Sequence, residues 1–147
     1  MKQVAVPIPL KVWQDPQGDL VLHHSREGCT VSFACWDAAG EPADYLCQLK
    51  FKHAWAVRGL NSEYLPYDRE EYHRSCVYEV VNSDWLKHES ELRSKNYPEW
   101  PEWNRKTYHH YVVSGHDNFY EVIAEGFEEK TVPSSDAGEL GRLIDHA

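Results

Sequence analysis

Two segments of the chain alternate between apolar and polar side chains, and this period of two residues constrains the fold more than any other feature. In the first segment, apolar residues occupy the odd positions from Cys29 to Cys35. In the second, the odd positions from Tyr45 to Val57 are apolar except for His53, and polar residues such as Lys50 occupy the other phase. Such alternation is typical of strands that bury one face. The pattern therefore predicts antiparallel β-structure.

Shorter segments extend this pattern along the chain. In the first of them Val4, Val6, Ile8, Leu10 and Val12 are expected to face the core. Pro7 and Pro9 lie on its opposite phase and cannot donate ladder hydrogen bonds, which predicts an edge strand. Turn-forming residues at 15–19, 37–42 and 115–118 separate the strands. The remaining predicted strands cover 20–23, 76–81, 108–114 and 119–125.

One principal helix is predicted after the strand that ends near Val81. Asn82 or Ser83 is placed to cap it, Asp84 suits its positive end, and Lys95 to Pro98 contains stop signals. Short helices are also predicted over 68–73 and 137–144. The fold class is α+β and mainly antiparallel β, with a curved sheet of about six or seven strands around one helix. Residues 1–147 are expected to form one domain, with 127–147 as a loosely packed tail.

The charge balance limits the kinds of partner. The chain has 24 acidic and 15 basic residues and a net charge of -9, so its surface would repel a nucleic-acid backbone. An acidic domain instead suits a protein partner with a basic surface. Residues 1–7 are not expected to form a signal peptide, and no apolar stretch approaches the ~20 residues of a membrane span. We therefore expect no nucleic-acid partner and no membrane partner.

The cysteines and the absence of familiar motifs limit the chemistry. Cys29, Cys35, Cys47 and Cys76 form no C-x-x-C pair, and three of them lie on the apolar phase of strands. They are interpreted as buried, reduced thiols in a cytoplasmic protein. The chain contains no phosphate-binding glycine loop, no G-x-S-x-G and no H-E-x-x-H. No cofactor and no specific metal site is predicted.

The last hairpin carries the main candidate site. If Ser114 pairs with Phe119, His110 lies diagonal to Glu121 on one face, while His116 and Asp117 stand at the turn. These four side chains could ligate a metal, or they could pair a general base with an acid. The alternative is a half-solvated sheet face with an ordinary turn, since Asp117 suits a turn for backbone reasons alone.

Two other features are candidates for binding. Arg58 and Asn61 flank Gly59 just after the long strand, where an Arg could hold a carboxylate or phosphate; the alternative is a surface ion pair. Trp100 and Trp103 belong to a tandem Pro-Glu-Trp and could offer a stacking surface, or they could fold back onto the sheet. His53 interrupts an apolar phase and is interpreted as a hydrogen-bonded core histidine.

Several short motifs resemble those of a family of small bacterial proteins of unknown function, across about the central half of the chain. The motifs are Phe51-x-His53-Ala54-x-Ala56-x-Arg58-x-x-Asn61-x-Glu63, Val81-Asn82-Ser83-x-Trp85-Leu86, His109-His110-Tyr111 and His116-Asp117-x-Phe119-x-Glu121-x-Ile123-Ala124. The resemblance implies no activity.

Two functions are consistent with these features. The first is a non-enzymatic binding protein of the immunity, inhibitor or adaptor type. The second is a small-ligand or metal-dependent enzyme that uses the His, Asp, Glu and Arg residues around the last hairpin. Convergence of Arg58, His110 and Glu121 in one place is what the second function requires. The sequence predicts neither the ligand nor the oligomeric state.

Overall fold

The computed structural model describes residues 2–62, 64–69, 76–99 and 106–136. Within them the chain forms eleven strands, one α-helix and a short 3-10 helix at Ser134–Asp136. The strands are β1 (Val4–Ile8), β2 (Trp13–Gln14), β3 (Val21–Ser25), β4 (Gly28–Trp36), β5 (Pro42–Lys52), β6 (Ala56–Leu60), β7 (Asp68–Arg69), β8 (Val77–Val81), β9 (His109–Ser114), β10 (Phe119–Ala124) and β11 (Gly126–Pro133). The helix α1 spans Asp84–Asn96 and lies between β8 and β9.

The strands form two sheets rather than one. The order is β6-β10-β9-β8-β1-β7 in the six-stranded sheet, and β11-β5-β4-β2 with β3 also paired to β4 in the five-stranded sheet. All pairings are antiparallel except the short contact between β1 and β7. The mainly antiparallel class with one principal helix is confirmed for the described residues, but the prediction of six or seven strands in one sheet was wrong.

One of the additional strands, β6, arises because the segment predicted as one long strand contains a corner. At His53 the backbone takes a positive φ of 51°, a conformation uncommon outside glycine. The chain then leaves the five-stranded sheet, and the Trp55 N–H donates to Ile123 O at 2.7 Å, where β6 joins β10. His53 is exposed and pairs with Glu125 at 2.6 Å. The prediction of a core histidine was therefore wrong, because the corner turns this side chain out of the sheet.

The larger core lies between the two sheets. The odd positions of β4 and the central odd positions of β5 supply Val31, Phe33 and Leu49, which are fully buried, and β9 and β10 supply Val113 and Val122. All four cysteines are buried free thiols, as predicted. Burial raises the pKa of Cys29 to about 11 and that of Cys35 to about 12. The thiols on this face therefore remain protonated at neutral pH.

A smaller core lies on the opposite face of the six-stranded sheet. It contains Ala5, Tyr78, Val80, Val112 and Phe119. The first strand contributes to both cores, since Ile8 and the following Leu10 and Val12 pack against the larger one. Those three residues therefore face the core as predicted. The fully buried residue of β1, however, is Ala5, which lies on the opposite phase. The prediction of an edge strand was wrong for Val4 and Ala5, because β1 lies between β8 and β7 there.

Several expectations fall partly or wholly outside the described residues. Trp100, Trp103 and the short helix at 137–144 lie outside them. A short helix was expected over 68–73, but Asp68 and Arg69 form the strand β7. The other residues of that segment lie outside the described ones. The first part of the expected tail is β11, which pairs with β5 along its whole length. No helix among the described residues is long and apolar enough to cross a bilayer.

A candidate Ser-His-Glu site beneath the helix

The last hairpin has the predicted register. Ser114 pairs with Phe119, Val112 with Glu121 and His110 with Ile123. His110 and Glu121 are therefore diagonal neighbours on one face, and His110 Nε2 lies 2.8 Å from Glu121 Oε1. This face is buried rather than half-solvated, since 0% of His110 and 4% of Glu121 are exposed. A buried imidazole and carboxylate in direct contact form the centre of the candidate site.

Glu121 accepts hydrogen bonds from three side chains. Arg58, directly opposite on β6, donates from Nε to Glu121 Oε2 at 2.7 Å. Tyr67 donates its hydroxyl to Oε1 at 2.5 Å, and the Arg58 Nη2 in turn donates to the Tyr67 hydroxyl at 3.0 Å. With His110, these donors satisfy both carboxylate oxygens, which is the condition for burying a charge at tolerable cost.

The network holds Glu121 in its ionised form. Burial on its own would raise the pKa of this carboxyl, but the hydrogen bonds from His110, Arg58 and Tyr67 outweigh it and lower the pKa from 4.5 to about 2. Burial, together with the carboxylate of Glu121, raises the pKa of Tyr67. Near neutral pH, Glu121 is thus an anion and Tyr67 a neutral donor. Because an ionised carboxylate only accepts, the His110 Nε2 must carry the proton between them.

Ser83 completes the chain on the other side of the imidazole. Strand β8 ends at Val81, Asn82 takes a positive φ of 58°, and Ser83 is the N-cap of α1, as one of the two predicted caps. Its Oγ accepts the Leu86 N–H at 3.0 Å and lies 2.6 Å from His110 Nδ1. The result is a continuous hydrogen-bonded series of hydroxyl, imidazole and carboxylate.

Aromatic rings enclose the imidazole. Trp85, in the first turn of α1, contacts His110 edge-on with ring centroids 5.0 Å apart, and Tyr67 does so at 5.6 Å. The Arg58 Cζ lies 4.0 Å from the centroid of the Trp85 ring, a cation–π contact. Arg58 remains 45% exposed at its side chain. The rings exclude water from His110, while Arg58 and the partly buried Ser83 link the network to the surface.

The other predicted site residues are not part of this cluster. His116 and Asp117 are exposed at the turn, where they form an ion pair of 3.0 Å. The turn begins after Ser114, which lies four residues along β9 from His110, a distance of roughly 14 Å at the usual strand rise. Asn61 is exposed beside Gly59 and Tyr120 in a shallow surface depression. The four-residue metal set considered from the sequence is therefore not assembled. No group of three or more His, Cys, Asp or Glu in the described chain could hold a metal ion.

Sequence reasoning missed Tyr67, Ser83 and Trp85 as site residues. Ser83 was identified only as a helix cap, and a cap signal does not reveal what else the hydroxyl contacts. Tyr67 lies in an irregular connection and meets Glu121 across 54 positions of sequence. One local signal could have directed attention to Ser83: a strand is followed by a residue suited to positive φ and then by a helix-capping serine.

Comparison of the chain with protein-family models, with curated protein sequences and with solved structures gave no significant match.

Proposed function

We propose that the protein is a hydrolase of labile acyl compounds, such as carboxylic esters, with Ser83 as nucleophile, His110 as general base and Glu121 as the group that orients it. The observation that carries this proposal is the unbroken series from Ser83 Oγ through His110 to Glu121, with contacts of 2.6 and 2.8 Å. Nucleophile, base and orienting carboxylate are recognised by this mutual geometry rather than by their order in the chain.

The hydrogen-bond inventory supports the assigned roles. With Nε2–H donated to Glu121, the neutral imidazole of His110 has its lone pair on Nδ1, and only the Ser83 O–H can satisfy it there. Ser83 Oγ also accepts the Leu86 N–H with one lone pair. The second lone pair is left for an electrophile, because a hydroxyl oxygen has one proton and two lone pairs.

The proposed reaction balances within these groups. Ser83 Oγ attacks the acyl carbon and its proton moves to His110 Nδ1, giving an imidazolium beside the Glu121 carboxylate. The bond to the leaving alcohol breaks, and the alcohol takes the proton from Nδ1. A water then attacks the acyl-serine with His110 as base, which releases the acid and restores Ser83.

The backbone at the start of α1 offers a donor for the developing oxyanion. The Asp84 N–H donates to Gln3 Oε1 at 2.8 Å and the Leu86 N–H to Ser83. Among the described residues no acceptor is found for the Trp85 N–H, and an unpaired first-turn N–H suits an oxyanion. Arg58 and Tyr67 share the charge of Glu121, so less of it stabilises the imidazolium. This is why labile esters are proposed rather than amides.

The test is modification of the purified protein by a fluorophosphonate, with hydrolysis of p-nitrophenyl acetate as a second readout. Ser83→Asn keeps a strong N-cap but removes the nucleophile, whereas Ser83→Thr keeps both. We expect stoichiometric labelling at position 83 in the wild type, retained labelling in Ser83→Thr and none in Ser83→Asn. Ser135→Ala, an exposed serine elsewhere, is the matched control. Equal labelling of wild type and Ser83→Asn would show that Ser83 is a cap and nothing more.

A binding role of the immunity, inhibitor or adaptor type is the second candidate, and one surface favours it. Strand β6 is the last strand of its sheet in the part of the chain described, and Leu60 at its end is 58% exposed while the nearby Tyr64 is 78% exposed. A terminal strand beside exposed apolar groups suits an added strand from a partner, and the charge of -9 favours a basic one. A stoichiometric partner captured from the native host by the wild type and lost with Leu60→Asp would support this role. Recovery of none would count against it.

A further inference from the structure

A second cleft lies on the five-stranded sheet, away from Ser83. It has a volume of about 550 Å³ and opens where the β3–β4 hairpin meets the end of β5. Its lining includes His24 and Arg26 from the hairpin, Lys50 and Lys52 from β5, and His53 from the corner. Cationic or protonatable side chains thus converge from three separate segments.

Two of the cations that line this cleft have no carboxylate partner in the described part of the chain. Lys52 pairs with Glu128 at 3.1 Å, and His53 pairs with Glu125. Arg26 and Lys50 have no ion-pair partner among the described residues, although the chain has 24 acidic residues and only 15 Lys and Arg. Two unpaired cations in one concave surface concentrate positive potential, because a cleft focuses the field of its walls.

We propose that this cleft binds a small anion that carries a phosphate group. The planar guanidinium of Arg26 can donate to two phosphate oxygens, and Lys50 adds a point charge from near the end of β5. Glu27 and Glu128 also line the cleft, which disfavours a long polyanion and favours a compact ligand. The cleft belongs to the sheet opposite Ser83, so this site is independent of the proposed hydrolase.

The experiment is a calorimetric titration of the full chain with inorganic phosphate and with pyrophosphate, at constant ionic strength maintained with chloride. We expect saturable binding that weakens roughly tenfold or more in Arg26→Gln and in Lys50→Gln, since each removes a charge-assisted hydrogen bond. Lys87→Gln, an exposed lysine on α1, is the matched control and should bind as the wild type does.

Amide chemical shifts locate the binding independently. Shifts confined to 24–28 and 50–54 support the cleft. Absence of saturable binding to either probe, or equal weakening by Lys87→Gln, would overturn the proposal, since the latter would indicate only general attraction by positive charge. Because the substituted side chains are exposed, both variants should unfold at the wild-type temperature, which circular dichroism checks.

Discussion

The two faces of the six-stranded sheet are stabilised in different ways. One face packs against the second sheet through aliphatic, aromatic and thiol groups such as Val113, Val122 and Phe33. The other face, beneath α1, combines a small apolar cluster with the buried pair His110 and Glu121. The buried residues of the first face carry no charge, since the His109–Glu79 pair on that side is about one-third exposed, whereas the second face depends on a buried charged pair.

This difference teaches what each face can do. An apolar interface is stabilised by the volume it fills, so its groups are inert and tolerant of pH. A buried polar network is stabilised only while every donor and acceptor is paired, so it fixes side-chain orientation closely and responds to protons. Fixed orientation of a hydroxyl, a base and an acid is what catalysis needs. One face of the sheet thus supplies mainly stability, and the other face positions the groups that could carry out chemistry.

The largest effect is expected from Phe33→Ala on the apolar face. Phe33 is fully buried, and removal of its ring should cost about 4 kcal/mol of unfolding free energy through lost burial and the cavity left behind. Urea denaturation measures the loss from the change in midpoint at constant slope. Phe33→Leu, which fills most of the space, should cost about 1 kcal/mol. Equal costs for the two variants would mean that the site collapses and that volume is not what stabilises this face.

On the polar face, Glu121→Leu should cost about 3 kcal/mol. The substitution leaves the Tyr67 hydroxyl and the His110 Nε2–H without an acceptor, whereas Arg58 is exposed enough to regain water. The same urea measurement applies. Glu128→Leu, which breaks an exposed pair with Lys52, is the matched control and should change stability by no more than about 0.5 kcal/mol. A cost below about 1 kcal/mol for Glu121→Leu would show that the network is dispensable.

The pH dependence of stability should separate the two faces. The pKa of Glu121 is lowered in the folded protein from 4.5 to about 2, so its carboxylate contributes stability that is complete above about pH 4.5 and is lost as the pH falls toward 2. The difference in unfolding free energy between wild type and Glu121→Gln should therefore shrink across that window. The cost of Phe33→Ala should stay constant, since neither residue titrates. A parallel decline in both would contradict the assignment of this pH dependence to Glu121.

The smallest effect tests whether Ser83 matters to stability only as a cap. Ser83→Ala should cost about 2 kcal/mol, because it removes the bond to the Leu86 N–H and leaves the buried His110 Nδ1 without a donor, whereas Ser83→Asn should cost about 1 kcal/mol because Asn keeps the N-cap and only the donor to Nδ1 is lost. Thermal unfolding followed by circular dichroism measures both. An unchanged stability in Ser83→Asn would mean that Ser83 stabilises the fold only as a cap and that its contact with His110 contributes nothing.

Local signals were enough to predict much of this architecture. The alternation in β4 and β5 identified the buried face, and the turn at 115–118 set the register that places His110 beside Glu121, because turn length determines pairing. The helix start was equally local, since a short polar residue after a strand is a strong cap signal.

The remaining features depend on long-range contacts or on an unusual backbone. The alternation continues through His53, and no glycine or proline marks the corner there, so the period of two residues hid the change of sheet. Ser83 and His110 lie 27 positions apart, and Tyr67 is further still from Glu121. Such convergence depends on the packing of α1, Leu65 and Tyr67 onto the sheet, which no local pattern encodes.

The central claim is that His110 connects an ionised Glu121 to the hydroxyl of Ser83, and nitrogen NMR of ¹⁵N-labelled His110 tests it most directly. The account predicts that near neutral pH Nε2 carries the proton and Nδ1 is an unprotonated acceptor, and that Ser83→Ala shifts the Nδ1 resonance while leaving Nε2 protonated. A proton on Nδ1 of a neutral imidazole would make Ser83 an acceptor only. That result would contradict the proposed nucleophile and leave a structural network in its place.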